Sequence, residues 1–232
     1  MVLDPGESHH ATDVLRLKEG DRLTVFNGQG SEATAEITAV KREGLVLRKL
    51  QVTKTPPLAC EIMLGQAVPK GKNMELIIEK ATELGASAIA PLLSERTVVQ
   101  ANAEEALKKK QKWQRVAVEA CKQCGQNWLP TVQSPLTPKA FFESGQKFDL
   151  MLIASLQPDA RHLKKVLAEA GSTRPKRVLI LVGPEGDFTP AEISLAKGYG
   201  CIPVTLGPII LRTETAALYC LSVLSHELLG GE

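Results

Sequence analysis

The chain lacks an apolar run suited to a membrane span. Its uncharged stretch over residues 201–211 carries Pro203, Gly207 and Pro208 and is far shorter than the ~20 residues a spanning helix needs. It also lacks the apolar core of a signal peptide, because its first 20 residues contain Asp4, Glu7, Asp13 and Glu19, so a cytoplasmic protein without a membrane partner is expected. Neither sign of charge dominates. With 28 Lys and Arg against 26 Asp and Glu the net charge is +2, and the total alone announces no nucleic-acid partner. Five cysteines, an odd number in 232 residues, fit reduced thiols better than a disulfide framework. The usual motifs of serine hydrolases (Gly-x-Ser-x-Gly), zinc proteases (His-Glu-x-x-His) and dinucleotide-binding folds (Gly-x-Gly-x-x-Gly) are missing. Of the four histidines, His9 and His10 lie early, His162 is expected on a helix beside Arg161, and His226 lies among leucines. None has a partner at metal-ligand spacing, so no metal is expected.

What is present, 44% hydrophobic and 23% charged residues, is ordinary globular composition, and the length allows one large domain or two unequal ones. Residues 1–57 read as a small β module. Residues 22–26 lead into Asn27-Gly28, which predicts a tight hairpin turn, and Ala33, Ala35, Ile37 and Ala39 then alternate with polar residues; residues 45–52 supply another strand. Thr55-Pro56-Pro57 interrupts strand pairing and marks the linker. Residues 58–232 then alternate strands with helices. Met74, Ile77, Ile78, Ala81 and Leu84 fall at helical spacing and stop at Gly85, while residues 150–154 and 178–182 are the continuous apolar runs of parallel strands covered on both faces. Thr189-Pro190-Ala191-Glu192 is a capping box, residues 201–206 form a strand, and Ala217, Leu221, Leu224 and Leu228 place a helix at the end. The expected fold is a β module followed by an α/β domain with a mostly parallel sheet.

Cys121 and Cys124 have the spacing of a redox pair or half a zinc site, but no second pair accompanies them, and the stripe from Trp113 onward predicts that both pack in a core. Gly65 and Gly71-Lys72 superficially resemble a phosphate loop. Five residues rather than four separate the glycines, and Asn73 stands where a hydroxyl would bind magnesium. Lys70 and Lys72 remain candidates for RNA-backbone contact, set against two solvated lysines. Two loops carry more. Gly183-Pro184-Glu185-Gly186-Asp187-Phe188 leaves the end of an apolar strand, where open α/β sheets bind ligands. Residues 206–216 leave another strand end and combine apolar side chains with Arg212 and Glu214, the makings of a small-molecule site.

Together these loops resemble the ribosomal RNA small subunit methyltransferase E family of the SPOUT superfamily. His9-His10, Val14-Leu15-Arg16 and Gly20-Asp21 resemble its PUA-like module, and Lys80 to Gly85, Glu95-Arg96-Thr97 and Glu119-Ala120 with Gln123 resemble its catalytic domain. The resemblance implies a small PUA-like β-barrel ahead of an α/β domain with a trefoil knot, S-adenosylmethionine as methyl donor, methylation of a uridine at N3 in 16S rRNA, and a homodimer. By position it implies cofactor contacts from Ala154 and Ser155, from Val182, Gly183, Glu185 and Gly186, and from Leu206, Gly207, Ile210, Leu211, Thr215 and Ala216. RNA contacts fall to Arg16, Arg22, Lys70, Lys72, Arg96 and Gln123. The chain departs from the family pattern in lacking a basic-aromatic strand before His9, in Gln126 where Arg is common, and in Asp187 in place of a second glycine.

Transfer to N3 requires loss of the N3 proton, and the charge then spreads onto the uracil carbonyl oxygens. Arg212 is the candidate to meet that charge. Glu214 is a candidate proton acceptor or donor-positioning group, unless it serves the following helix N-terminus. Competing expectations are a non-catalytic RNA-binding assembly factor of the same fold and a ribose 2′-O-methyltransferase.

Overall fold

The computed structural model describes residues 1–97, 102–170 and 174–230. The chain forms two compact units, Met1–Pro57 and Leu58–Glu232.

In the first unit, Asp4 caps the short helix α1 (Pro5–His9) by accepting from the amides of Gly6 and Glu7, and a π-helical turn follows over His10–Val14. β1 (Arg22–Phe26), β2 (Ser31–Lys41) and β3 (Gly44–Lys54) form an antiparallel sheet in that order. The predicted alternation places Ala33, Ala35 and Ile37 on the buried face, where Ala35 and Ile37 meet Leu45, Leu47 and Ala11. Met1 and Leu3 extend the sheet: the Leu47 amide donates to the Met1 carbonyl at 2.8 Å and the Leu3 amide to Leu45 at 2.9 Å. The β1–β2 hairpin turn falls at Asn27-Gly28, where the sequence predicts a turn, and runs to four residues. Residues 27–30 form the loop, the Asn27 side chain accepts from the Gln29 and Ser31 amides, and Gly28 and Gly30 supply the positive φ.

The second unit is a seven-stranded, fully parallel sheet in the order β6-β5-β4-β9-β7-β10-β8. Its strands are β4 (Glu61–Ala67), β5 (Ala88–Leu92), β6 (Thr131–Val132), β7 (Leu150–Ala154), β8 (Arg161–His162), β9 (Arg177–Val182) and β10 (Ile202–Thr205). The helices between them are α2 (Asn73–Glu83), α3 (Ala103–Cys124), α4 (Pro138–Glu143), α5 (Leu163–Ala170) and α6 (Pro190–Gly198), and α7 (Thr213–Leu228) follows β10. Strand side chains alternate between two cores. Ile62, Leu64, Val178 and Ile180 pack with residues of α2 and α7, while Met63, Leu179 and Leu181 pack with Phe141 of α4 and Ile193 of α6. Coverage of both faces is why these strands read as uninterrupted apolar runs.

Two expectations need correction. His162 lies in the short exposed strand β8 rather than in a helix, which begins one residue later at Leu163. The Cys121–Cys124 pair is split: Cys121 is buried, but Cys124, in the last turn of α3 before the left-handed Gly125, is exposed. Desolvation pushes the Cys121 thiol up to about 12, the inert condition of a core cysteine. Among the described residues no cluster of three His, Cys, Asp or Glu could hold a metal, and no helix is long and apolar enough to cross a membrane.

Candidate cofactor site

Because the sheet is parallel, every strand of the second unit delivers its outgoing loop to one edge. Chain order reverses around β9, which has β4 on one side and β7 on the other, and such a reversal opens a crevice. A cavity of about 380 Å³ lies there, within the size of small-molecule sites. Three segments line it: residues 154–156 at the end of β7, residues 182–187 at the end of β9, and residues 205–207 and 209–213 with Ala216 from the end of β10 into α7. Of the residues that the resemblance proposes for the cofactor, Ala154, Ser155, Val182, Gly183, Glu185, Gly186, Leu206, Gly207, Ile210, Leu211 and Ala216 line this one cavity, together with Arg212. Thr215 and Glu214 do not line it. Thr213 and Ala216, three residues apart in α7, share its inward face, and the intervening residues turn away from it. Thr215 is exposed and Glu214 half-buried.

The loop of residues 183–188 is the hub. A Cβ on Gly183 would meet the Phe188 backbone nitrogen at 3.0 Å, so the tight turn leaves no room for a side chain. Gly186 has φ of 88°, the left-handed region that glycine enters without strain. The Thr213 hydroxyl donates to the Gly183 carbonyl at 2.6 Å and accepts from Gln66 Nε2 at 3.0 Å. Having given its one proton to Gly183, that hydroxyl must be the acceptor toward Gln66, which fixes the Gln66 amide orientation. Its second N–H donates to the Ala67 carbonyl at 2.8 Å. Arg96 reaches the loop from the segment after β5, with Nη1 donating to the carbonyl of Gly186 and, at 3.4 Å, to that of Asp187. The Lys70 amide donates to Glu185 Oε1 at 3.4 Å.

A buried carboxylate braces this arrangement from behind. Glu192, only 7% exposed, accepts from Ser94 Oγ at 3.0 Å, from the Glu95 amide at 2.9 Å and from the Thr189 amide at 2.9 Å. It thus completes the capping box of α6 and also anchors the segment carrying Arg96. The Thr189–Glu192 spacing foretold the box, but nothing local foretold the bonds to residues 94 and 95. Gln66, Thr213 and Ser94 gave no signal in the sequence as site residues, and Glu192 gave one only for its capping box, since a polar residue inside an apolar run gives only a weak hint that it is paired.

Arg212 immediately precedes α7 with a side chain that makes no hydrogen bond or ion pair among the described residues. Of the expected RNA contacts, Lys70 and Lys72 lie in the turn between β4 and α2, at the cavity edge of the sheet. Arg96 is engaged with loop carbonyls. Gln123 is exposed near the end of α3, in a groove with Lys80 and Arg115 and outside the cavity lining. Arg16 and Arg22 are exposed in the first unit.

A crevice at a sheet reversal, apolar walls and backbone brought close by glycine fit a bulky cofactor with an adenosyl group. Comparison with known proteins agrees on the class: residues 56–225 match the RNA methyltransferase domain family and residues 3–50 the RNA methyltransferase PUA domain family. The ribosomal RNA small subunit methyltransferase E of Bacillus subtilis is 34% identical over 97% of this chain and 90% of its own length; that of Synechocystis is 35% identical over 96% and 71%. The chain belongs to the ribosomal RNA small subunit methyltransferase E family. The Neisseria gonorrhoeae enzyme of that name, solved bound to S-adenosylmethionine, is 30% identical and superposes with a TM-score of 0.84 over 97% of this chain and 90% of its own. A Legionella pneumophila protein solved with the same cofactor is 36% identical, with a TM-score of 0.87 over 97% and 90%. The fold is the expected one, a SPOUT-type α/β domain preceded by a PUA-like module.

Proposed function

We propose that this protein uses S-adenosylmethionine to methylate N3 of a uridine in 16S rRNA. The observation that carries the proposal is the convergence of three glycine-containing or apolar loops on one cavity, with Arg212 among its lining residues. The donor, when bound, supplies an electrophilic methyl on its sulfonium. Ala154, Val182, Leu206 and Leu211 offer the apolar walls such a group requires, and the absence of a side chain at Gly183 and Gly186 lets it lie against the backbone.

Arg212 then acts on the base. As uracil gives up its N3 proton to solvent water, its carbonyl oxygens become more negative, and a guanidinium not engaged by the described residues can turn toward one of them. Glu214, on the first turn of α7 but outside the cavity lining, fits support of that helix N-terminus better than proton transfer. Lys70 and Lys72, exposed at the same edge of the sheet, are suited to the RNA backbone, and the first unit adds Arg16 and Arg22. The reading includes a C-terminal trefoil knot and a homodimer acting in the cytoplasm. Ile209 and Ile210 support the dimer: they are 76% and 75% exposed at the cavity edge, an unusual place for bare aliphatic side chains unless a second subunit covers them.

The deciding experiment is mass mapping of 16S rRNA incubated with protein and donor, followed by nucleoside analysis. The expected product is 3-methyluridine at one position. A methyl on a ribose hydroxyl, or none at all, overturns the proposal.

A further inference from the structure

Gly186 and Asp187 occupy consecutive left-handed positions, with φ of 88° and 70°. Glycine is at ease there; aspartate is strained unless its short side chain compensates by local hydrogen bonding. Asp187 does more than that. Its Oδ1 accepts from the Phe188 amide at 2.7 Å, and its Oδ2 accepts from the Leu156 amide at 2.9 Å, 31 residues away in the loop after β7. Leu156 and Asp187 both line the cavity, from different walls. Arg96 and Thr213 also hold the 183–188 loop, but they tie it to the segment after β5 and to the start of α7. Among the described residues no other hydrogen bond joins residues 155–160 to residues 183–188.

We propose that Asp187 is a positioning residue that latches two walls of the cofactor cavity together before the donor arrives. The inference rests on the reading of this cavity as the donor site. A glycine would suit the backbone better but offers no acceptor, and an asparagine has one acceptor oxygen for two amides. Only a carboxylate at this position serves both Phe188 and Leu156, so the side chain offsets the strain of its own backbone by fixing a neighbouring loop. A preformed cavity binds its ligand without the cost of ordering that loop on association.

Asp187→Gly and Asp187→Asn both tolerate the left-handed backbone, which makes them usable tests. Two measurements apply to each variant: hydrogen exchange at the Leu156 amide in the unliganded protein, and calorimetric dissociation constants for S-adenosylmethionine and for its demethylated thioether product. The latch predicts that Leu156 exchange accelerates about tenfold in Asp187→Gly, the scale of one charge-assisted hydrogen bond. It also predicts that donor and product weaken by a common factor of about 3–10, with Asp187→Asn intermediate. Unchanged exchange at Leu156 would overturn the latch. Loss of affinity for the cationic donor alone, with the neutral product unaffected, would also overturn it and make Asp187 a charge contact instead. If the wild-type protein binds neither ligand, the reading of the cavity fails, and the exchange measurement decides the latch by itself.

Discussion

The hydroxyl of Thr213 donates to the carbonyl of Gly183 at 2.6 Å, joining the first residue of the last helix to the turn that floors the cavity. Gln66, fully buried at the end of β4, donates to the same hydroxyl, so one oxygen connects three segments remote in sequence. Replacing Thr213 by Val keeps the shape and removes the hydroxyl. It leaves a buried carbonyl and a buried amide N–H without partners, at about 1–3 kcal/mol for each unsatisfied group. Chemical denaturation of Thr213→Val should register a loss on that scale together with weaker donor binding, while Thr213→Ser should recover most of both. Equal stability of all three proteins would show that the relay contributes nothing.

Gly186→Val tests the loop differently. A Cβ there meets nothing nearer than Arg96 Nη1 at 4.0 Å, so the substitution causes no packing clash, but φ of 88° costs a residue with a Cβ about 1–2 kcal/mol. The variant should fold with a lowered melting temperature and fail to bind S-adenosylmethionine in a titration, because a β-branched side chain now stands on the lining of the cavity. Wild-type affinity would make the glycine a purely structural requirement.

The contrast between these positions explains how far the sequence could be read. The strands were legible because parallel strands between two helical layers must be apolar on both faces, and the cavity loops because glycines and polar residues cluster where such strands end. Thr213 and Gln66 were not legible, since their pairing spans 147 residues and depends on strand order, which no local pattern encodes. Cys124 misled for a related reason: a spacing of three residues does not fix which helix face reaches solvent in the last turn. Asn27-Gly28 marked the turn between β1 and β2, but not its length: the Asn27 side chain, by accepting from two amides, makes a four-residue loop favourable.

Thiol chemistry offers an independent check on burial. Desolvation is the leading cause that raises the thiols of Cys60 to about 11 and of Cys121, Cys201 and Cys220 to about 12, while Cys124 is exposed. A colourimetric thiol reagent should therefore modify one cysteine in the native protein at neutral pH and five after denaturation. Above about pH 9 the unfolded chain releases thiol protons that the folded chain keeps, so the folded state binds more protons and stability falls as pH rises. The contribution of the buried thiols is intact below that pH and disappears as the folded thiols titrate at 11–12. Replacing Cys220 by Ala should flatten this alkaline decline, and a decline of unchanged steepness would remove the buried thiol as its cause.

RNA affinity should depend strongly on salt although the net charge is only +2, because the local patch sets how many phosphates are neutralised. Lys70 and Lys72 are the appropriate residues to change. Arg96 is not, because its bonds to Gly186 and Asp187 would perturb the cavity as well. Replacing both lysines by Ala should reduce the slope of log affinity against log salt by about 0.7–0.9 for each phosphate that is no longer neutralised, with donor affinity intact. An unchanged slope would assign the RNA surface to Arg16 and Arg22 in the β module.

Arg212 is the residue whose replacement separates chemistry from binding. Its side chain makes no hydrogen bond or ion pair among the described residues, and the residue stands just before α7, where its backbone carbonyl receives the Ala216 amide at 2.8 Å. Replacement by Ala leaves that backbone bond in place, so the variant should fold and hold rRNA. If the guanidinium meets charge that develops on uracil only during transfer, single-turnover methylation should fall by about 10²–10³ while the dissociation constant for S-adenosylmethionine barely moves. If Arg212 instead anchors the donor, donor affinity should fall and saturating donor should restore much of the rate. Both constants measured on one variant distinguish these roles, and wild-type turnover would remove Arg212 from the chemistry altogether.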